Sequence, residues 1–139
     1  MTDPINTFDA PPTTARGEVR TWLRLDGLAA LAAAALAYGV LGGDWRVFAL
    51  LFLIPDLSML GYLFGRGFGA FAYNLGHSYM SPLVIGGVTW ALGRPDFAPL
   101  ALIWIAHIGF DRALGYGLKY STGFGDTNLG RVGRTKPAT

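Results

Sequence analysis

Residues Leu102–Tyr120 read LIWIAHIGFDRALGYGLKY, and the fold follows from what this stretch can be. Its apolar run has the character of a bilayer-spanning helix. His107, Asp111 and Arg112 nevertheless sit inside it. Ionisable groups at membrane depth are rare; where they occur they face protein or a water-filled cavity and mark function. His107 and Asp111 are four residues apart, so a helix carries them on one face. Gly109, Ala113 and Gly117 repeat every four residues on another face, a small-residue seam suited to close packing against a second helix.

The rest of the chain has the same character. It has 139 residues, 52% hydrophobic and 14% charged, with mean hydropathy +0.38. Soluble domains carry about 25% charged residues, so this is a membrane composition. The absence of cysteine excludes disulfides, thiolate metal sites and iron–sulfur clusters. A net charge of +2 does not point to nucleic acid, because the basic residues flank apolar runs as membrane orientation requires. The expected partner is the lipid bilayer.

Four apolar runs predict an all-α membrane protein, an antiparallel four-helix transmembrane bundle spanning about 22–41, 45–64, 68–92 and 97–118. Residues 1–20 are polar and proline-bearing and read as a flexible cytosolic arm. Residues 21–120 form the transmembrane domain, and residues 121–139 a cytosolic tail, loosely ordered at its end. Asp44 and Asp96 are expected N-caps. Pro55 and Pro82 each remove a helical hydrogen bond, so kinks are expected in the second and third spans. Asn74, His77, Ser78 and Ser81 form a polar stripe on the third span. Arg16, Arg20 and Arg24 precede or open the first span, and Lys119, Arg131, Arg134 and Lys136 follow the last. The positive-inside rule then makes both termini cytosolic in a multi-pass protein of the cell's inner membrane.

Depth brings the costly residues together. At about 1.5 Å per residue from the cytosolic end, Asn74 and Asp111 lie at roughly 10 Å, Asp56 at roughly 12 Å, and His77 and His107 at roughly 15 Å. Imidazole and carboxylate suit a divalent metal, zinc first among them, with Asp56, His77, His107 and Asp111 as ligands. A metal there supplies hydrolytic chemistry on a lipid-like substrate, with Asp56 and Asp111 as the catalytic carboxylates and Asn74 and Arg112 binding substrate. Other readings stay open. The same groups can hydrogen-bond across helices and fix packing, or bind a partner or small solute, in a protein that is not an enzyme. His77 and His107 can also ligate haem, although that leaves both carboxylates unused.

Three strings carry a resemblance: Leu53–Tyr62 (LIPDLSMLGY), Ala72–Tyr79 (AYNLGHSY) and Ile105–Arg112 (IAHIGFDR) through Lys119 and Tyr120. In order and spacing they resemble the small bacterial integral membrane protein family labelled domain of unknown function 4260. The tail string Gly123–Leu129 resembles that family's ending, where a His often stands at the position of Asn128. The resemblance implies four membrane spans and no activity. In architecture alone the chain is also similar to small membrane-bound metal-dependent hydrolases with intramembrane His and Asp.

Overall fold

The structure is a computed structural model that describes residues 14–133. Most of the expected N-terminal arm and the end of the expected tail lie outside the described residues. The first helix, α1, spans Gly17–Val40, so residues 17–20 of that arm are helical instead. Their turn is anchored at its far side, where Arg24 Nε donates to Ala113 O at 2.8 Å.

Asp44 caps the second helix as expected, its side chain accepting from Arg46 N at 2.8 Å. This helix, α2, runs only Trp45–Leu51. Pro55 has no N–H for the Leu51 carbonyl, and the chain continues as a 3-10 helix over Ile54–Phe64. Gly65, at φ 109°, turns the chain into α3, Arg66–His77. The turn therefore lies one residue before the expected Arg66–Gly67.

The expected third span is not one helix. It breaks after α3 and resumes as α4, Met80–Ala91. Gly93 (φ 74°) turns the chain back, and α5 spans Ala98–Leu114. Asp96 does not cap it. Its carboxylate pairs instead with Arg94, at 2.9 Å, within the short 3-10 turn Pro95–Phe97. At the other end α5 stops four residues before the expected limit. Gly115, at φ 95°, lets its own N–H reach Arg112 O and the Tyr116 N–H reach Asp111 O, a left-handed helix stop.

Three of these stretches, Gly17–Val40, Trp45–Phe64 and Pro95–Leu114, are long and apolar enough to cross a membrane. The first and third pack antiparallel through glycines. A Cβ on Gly27 would meet Gly109 O at 2.8 Å, and one on Gly109 would meet Gly27 O at 2.6 Å. This is the predicted seam, with α1 as its partner. Gly117 is not part of it, because α5 has ended and Gly117 lies against Asn128. The 3-10 helix and α3 form a second close pair, with Tyr62 against Gly69 and Ser58 against Gly76.

The described part of the tail folds back on the helices. Asp126–Thr127 (β1) and Gly130–Arg131 (β2) form an antiparallel hairpin, pairing Asp126 with Arg131 and Thr127 with Gly130. Lys119 bridges Thr127, and Thr127 and Leu129 are buried. Ala15 N donates to Asn128 O at 2.7 Å, so both ends of the described chain meet at one end of the helices.

Gly109→Ala forces a methyl onto the backbone of α1 and should destabilise the protein by about 1–3 kcal/mol. Gly87→Ala, at a helical glycine with nothing within 4 Å, should leave stability unchanged or raise it. Thermal unfolding of both variants in detergent checks the seam; equal midpoints would contradict it.

Candidate metal centre

Four side chains from three elements converge on one point. Asp56 enters from the first turn of the 3-10 helix, one residue after the proline that ended α2. His77 is the last residue of α3. His107 and Asp111 lie one turn apart on α5.

The end of α3 explains how His77 is presented. Ser78 is extended (φ −95°, ψ 134°), and Pro82, four residues on, could not have donated to its carbonyl. The break leaves the last carbonyls of α3 without helical partners. Side chains from α4 and α5 take them. Ser81 Oγ donates to Leu75 O, Trp104 Nε1 to Gly76 O at 2.6 Å, and Arg112 Nη2 to His77 O at 2.7 Å. Ser78 Oγ accepts from Met80 N at 3.3 Å, opening α4. The expected polar stripe is thus divided, with its two serines satisfying the break and Asn74 and His77 staying on α3. Buried backbone groups need such partners where water cannot reach them.

Nε2 of His77 lies 3.3 Å from Asp56 Oδ1 and 3.3 Å from Asp111 Oδ2. Nε2 of His107 lies 3.4 Å and 3.7 Å from the same two oxygens, and 3.2 Å from His77 Nε2. All four atoms fall within 4.8 Å of one another. A tetrahedral site has a ligand-to-ligand edge about 1.6 times its bond, so bonds of about 2.0–2.2 Å give edges of roughly 3.3–3.6 Å. The five separations that involve a histidine nitrogen, 3.2–3.7 Å, lie close to those edges, and the two carboxylate oxygens stand within 4.8 Å of each other.

Proton accounting argues in the same direction. His77 Nδ1 lies 3.0 Å from Tyr73 O, a carbonyl that can only accept. Nδ1 therefore carries the proton, and in the neutral ring Nε2 presents a lone pair to two carboxylate oxygens. A proton on His107 Nε2 serves some of these contacts and leaves the others acceptor against acceptor. Protons on both Nε2 atoms set two N–H groups against each other at 3.2 Å. A cation at the centre satisfies every contact. Tyr73 stacks on the His77 ring at 3.8 Å and Phe52 meets the His107 ring edge-on at 5.2 Å, fixing both planes. His107 Nδ1 is buried without a hydrogen-bond partner.

The haem expectation is not supported. Axial nitrogens on opposite faces of a haem iron stand about two bond lengths, roughly 4 Å, apart, with the macrocycle between them. Here the two nitrogens are 3.2 Å apart, and both carboxylates reach the place a ring would need.

Asn74 and Arg112 are bound to the backbone. Asn74 Nδ2 donates to Lys119 O at 2.8 Å and its Oδ1 accepts from Lys119 N at 2.7 Å, pinning the tail to α3. Arg112 Nη1 donates to Tyr116 O at 2.6 Å, in addition to its bond to His77 O. Asn128, at the position where the resemblance puts a His, accepts from Leu118 N through its side chain at 2.8 Å.

The histidines are buried, at 0% and 2% side-chain exposure, while Asp111 is 11% and Asp56 34% exposed. Both carboxylates open onto a cavity of about 330 Å³ roofed by the tail, whose lining includes Tyr73, Tyr116, Lys119, Phe124 and Thr127. A larger apolar cavity, about 550 Å³, is lined by Ile54, Ser58, Ile85 and Trp104 and by none of the four converging residues; the chemistry lies at the smaller one. Lys119 was read only as a positive charge beside the membrane. Its Nζ lies 3.2 Å from the Phe124 ring centroid and 4.5 Å from that of Tyr73. Burial pushes this ammonium below the usual lysine range, and the Asp111 and Asp56 carboxylates act in the opposite sense.

Fold and site together define a mostly helical protein with membrane-length apolar helices around a buried Asp/His group able to hold a metal. The chain belongs to the family described as Domain of unknown function (DUF4260), whose family model matches residues 20–132. No curated protein and no solved structure matches it.

Asn74→Ala should release the tail, so the Lys119 amide should exchange its hydrogen faster than in wild type. Hydrogen-exchange mass spectrometry over residues 116–130 checks this; unchanged protection would mean the hairpin holds without Asn74.

Proposed function

We propose that the chain is an integral membrane protein whose Asp56, His77, His107 and Asp111 hold a divalent metal, zinc first by donor type, and that it hydrolyses an amphiphilic, lipid-like substrate. The observation that carries this is the convergence of the four ligand atoms within 4.8 Å. The proposed topology has four crossings, with α3 and α4 sharing one. In support, α3 begins beside the tail, where Arg66 Nη1 reaches Thr122 O at 3.5 Å, and α4 leads to the start of α5. Both described ends lie together, and the basic residues flanking them favour a cytosolic setting for that end. The inner membrane of a bacterial cell fits this pattern.

A divalent metal at this point would polarise a carbonyl or phosphoryl oxygen and acidify a water. The chain's own residues supply the rest. His77, His107 and Asp111, the more buried three, serve as the permanent holders. Asp56 is the most exposed of the four and opens on the cavity, so it is the group suited to exchange a proton with water or substrate. Asn74 and Arg112 act by positioning: Asn74 holds the cavity roof, and Arg112 ties the end of α3 to α5. Substrate reaches the carboxylates from the tail side.

Protein purified in detergent without chelator should carry near-stoichiometric transition metal. His107→Ala and His77→Ala should remove it while α-helical content is retained. Asp56→Asn should keep more metal than either and lower hydrolysis of amphiphilic esters or phosphoesters by about 10²–10⁴-fold. Elemental analysis beside circular dichroism checks the first part; metal-free wild type would end the metal reading. Metal-loaded wild type with no turnover on such substrates would leave a metal protein and remove the hydrolase.

A further inference from the structure

The geometry points to Lys119 as an anion-recognition residue: its aromatic-caged ammonium, on the cavity shared with Asp56 and Asp111, selects a ligand carrying an oxyanion group. This rests on the metal reading above. Three observations support it. First, the ammonium is held by ring faces, Phe124 at 3.2 Å, Tyr73 at 4.5 Å and Tyr62 at 5.5 Å. Aromatic faces stabilise a cation without neutralising it. Among the described residues no carboxylate stands within ion-pair distance of Nζ. Second, the residue is fixed at its backbone, by Asn74 through two hydrogen bonds and by Thr127 through a bridge. A surface lysine serving only membrane orientation needs no such anchoring. Third, the charged residues lining the cavity are Asp56, Asp111 and Lys119.

The charge balance gives the consequence. With a divalent cation between the two carboxylates, their charges cancel and Lys119 leaves the cavity positive. Without the cation, the carboxylates outweigh Lys119 and the cavity is negative. Oxyanion binding is therefore coupled to metal binding, and each tightens the other. Arg112 on α5 donates to His77 O and Tyr116 O and does not line the cavity, which leaves Lys119 as the cation facing the ligand. The oxyanion is either a lipid headgroup or a soluble phosphate; both share the chemistry recognised.

The test is calorimetric titration of the full chain in nonionic detergent with octyl phosphate, inorganic phosphate and uncharged octyl glucoside, with metal content measured in every sample. Zinc-loaded wild type should bind octyl phosphate and not octyl glucoside, and chelator-treated protein should lose that binding. Lys119→Met should keep its zinc and weaken octyl phosphate by at least about ten-fold, while Lys119→Arg should retain most of the affinity. Octyl phosphate bound more tightly than inorganic phosphate assigns the subsite to a lipid headgroup; equal binding assigns it to a soluble anion. Undiminished binding by zinc-loaded Lys119→Met would overturn the inference and leave the metal site standing. Should Lys119→Met fail to fold, wild type alone decides, since equal binding of octyl glucoside and octyl phosphate would also overturn it. Wild type without metal would overturn both readings together.

Discussion

Two imidazole nitrogens and two carboxylate oxygens drawn together in a largely buried site repel one another unless protons or a cation lie among them. In water such a group would spread apart and be solvated. In a low-dielectric interior the repulsion is stronger and water cannot relieve it. Much of the rest of this fold serves to bring those atoms together and keep them there.

The restraints come from all sides. The Gly27–Gly109 contact seats α5 against α1 with backbone touching backbone, which fixes where His107 and Asp111 lie. Gly76 has no side chain because Ser58 occupies that space; a Cβ there would meet Ser58 Oγ at 2.7 Å. That contact sets the 3-10 helix against α3 and so sets Asp56 against His77. The broken end of α3 is tied to α5 by Trp104 and Arg112. A single deletion among these ties would shift one ligand relative to the others, and metal sites respond to shifts that small. The tail closes the open side through Asn74.

The long apolar helices were legible because apolar run length and charge content are local properties, and Leu102–Tyr120 already displays both. The four converging residues were legible for a related reason. Helical rise converts sequence position into depth, and His107 and Asp111 share a face by spacing. What depth counting could not show was the form of the third span. Pro82 was read as a kink, but the loss of its hydrogen bond to Ser78 becomes a full break because Ser81, Trp104 and Arg112 satisfy the freed carbonyls. Those partners are remote in the chain, so no local pattern reveals them. The same holds for Asn74 and Arg112, whose polar groups looked free for substrate and instead serve the backbone of distant residues. The tail, Gly- and Thr-rich, carries no local pattern that marks a hairpin. Its order comes from pairing Lys119 with Thr127 and with Asn74, and from burial of Leu129, all of them tertiary. Lys119 acquires its setting only through Tyr62, Tyr73 and Phe124, which three separate segments contribute.

The most direct measurement of the central claim is X-ray absorption at the metal edge of zinc-loaded protein. Four nitrogen or oxygen ligands at about 2.0–2.1 Å should appear, with the outer-shell scattering of two imidazole rings. His77→Ala, which should lose the metal, should show no bound zinc above the buffer. A spectrum of oxygen ligands alone, with no imidazole contribution, would place the metal elsewhere on the protein and contradict the site built from Asp56, His77, His107 and Asp111.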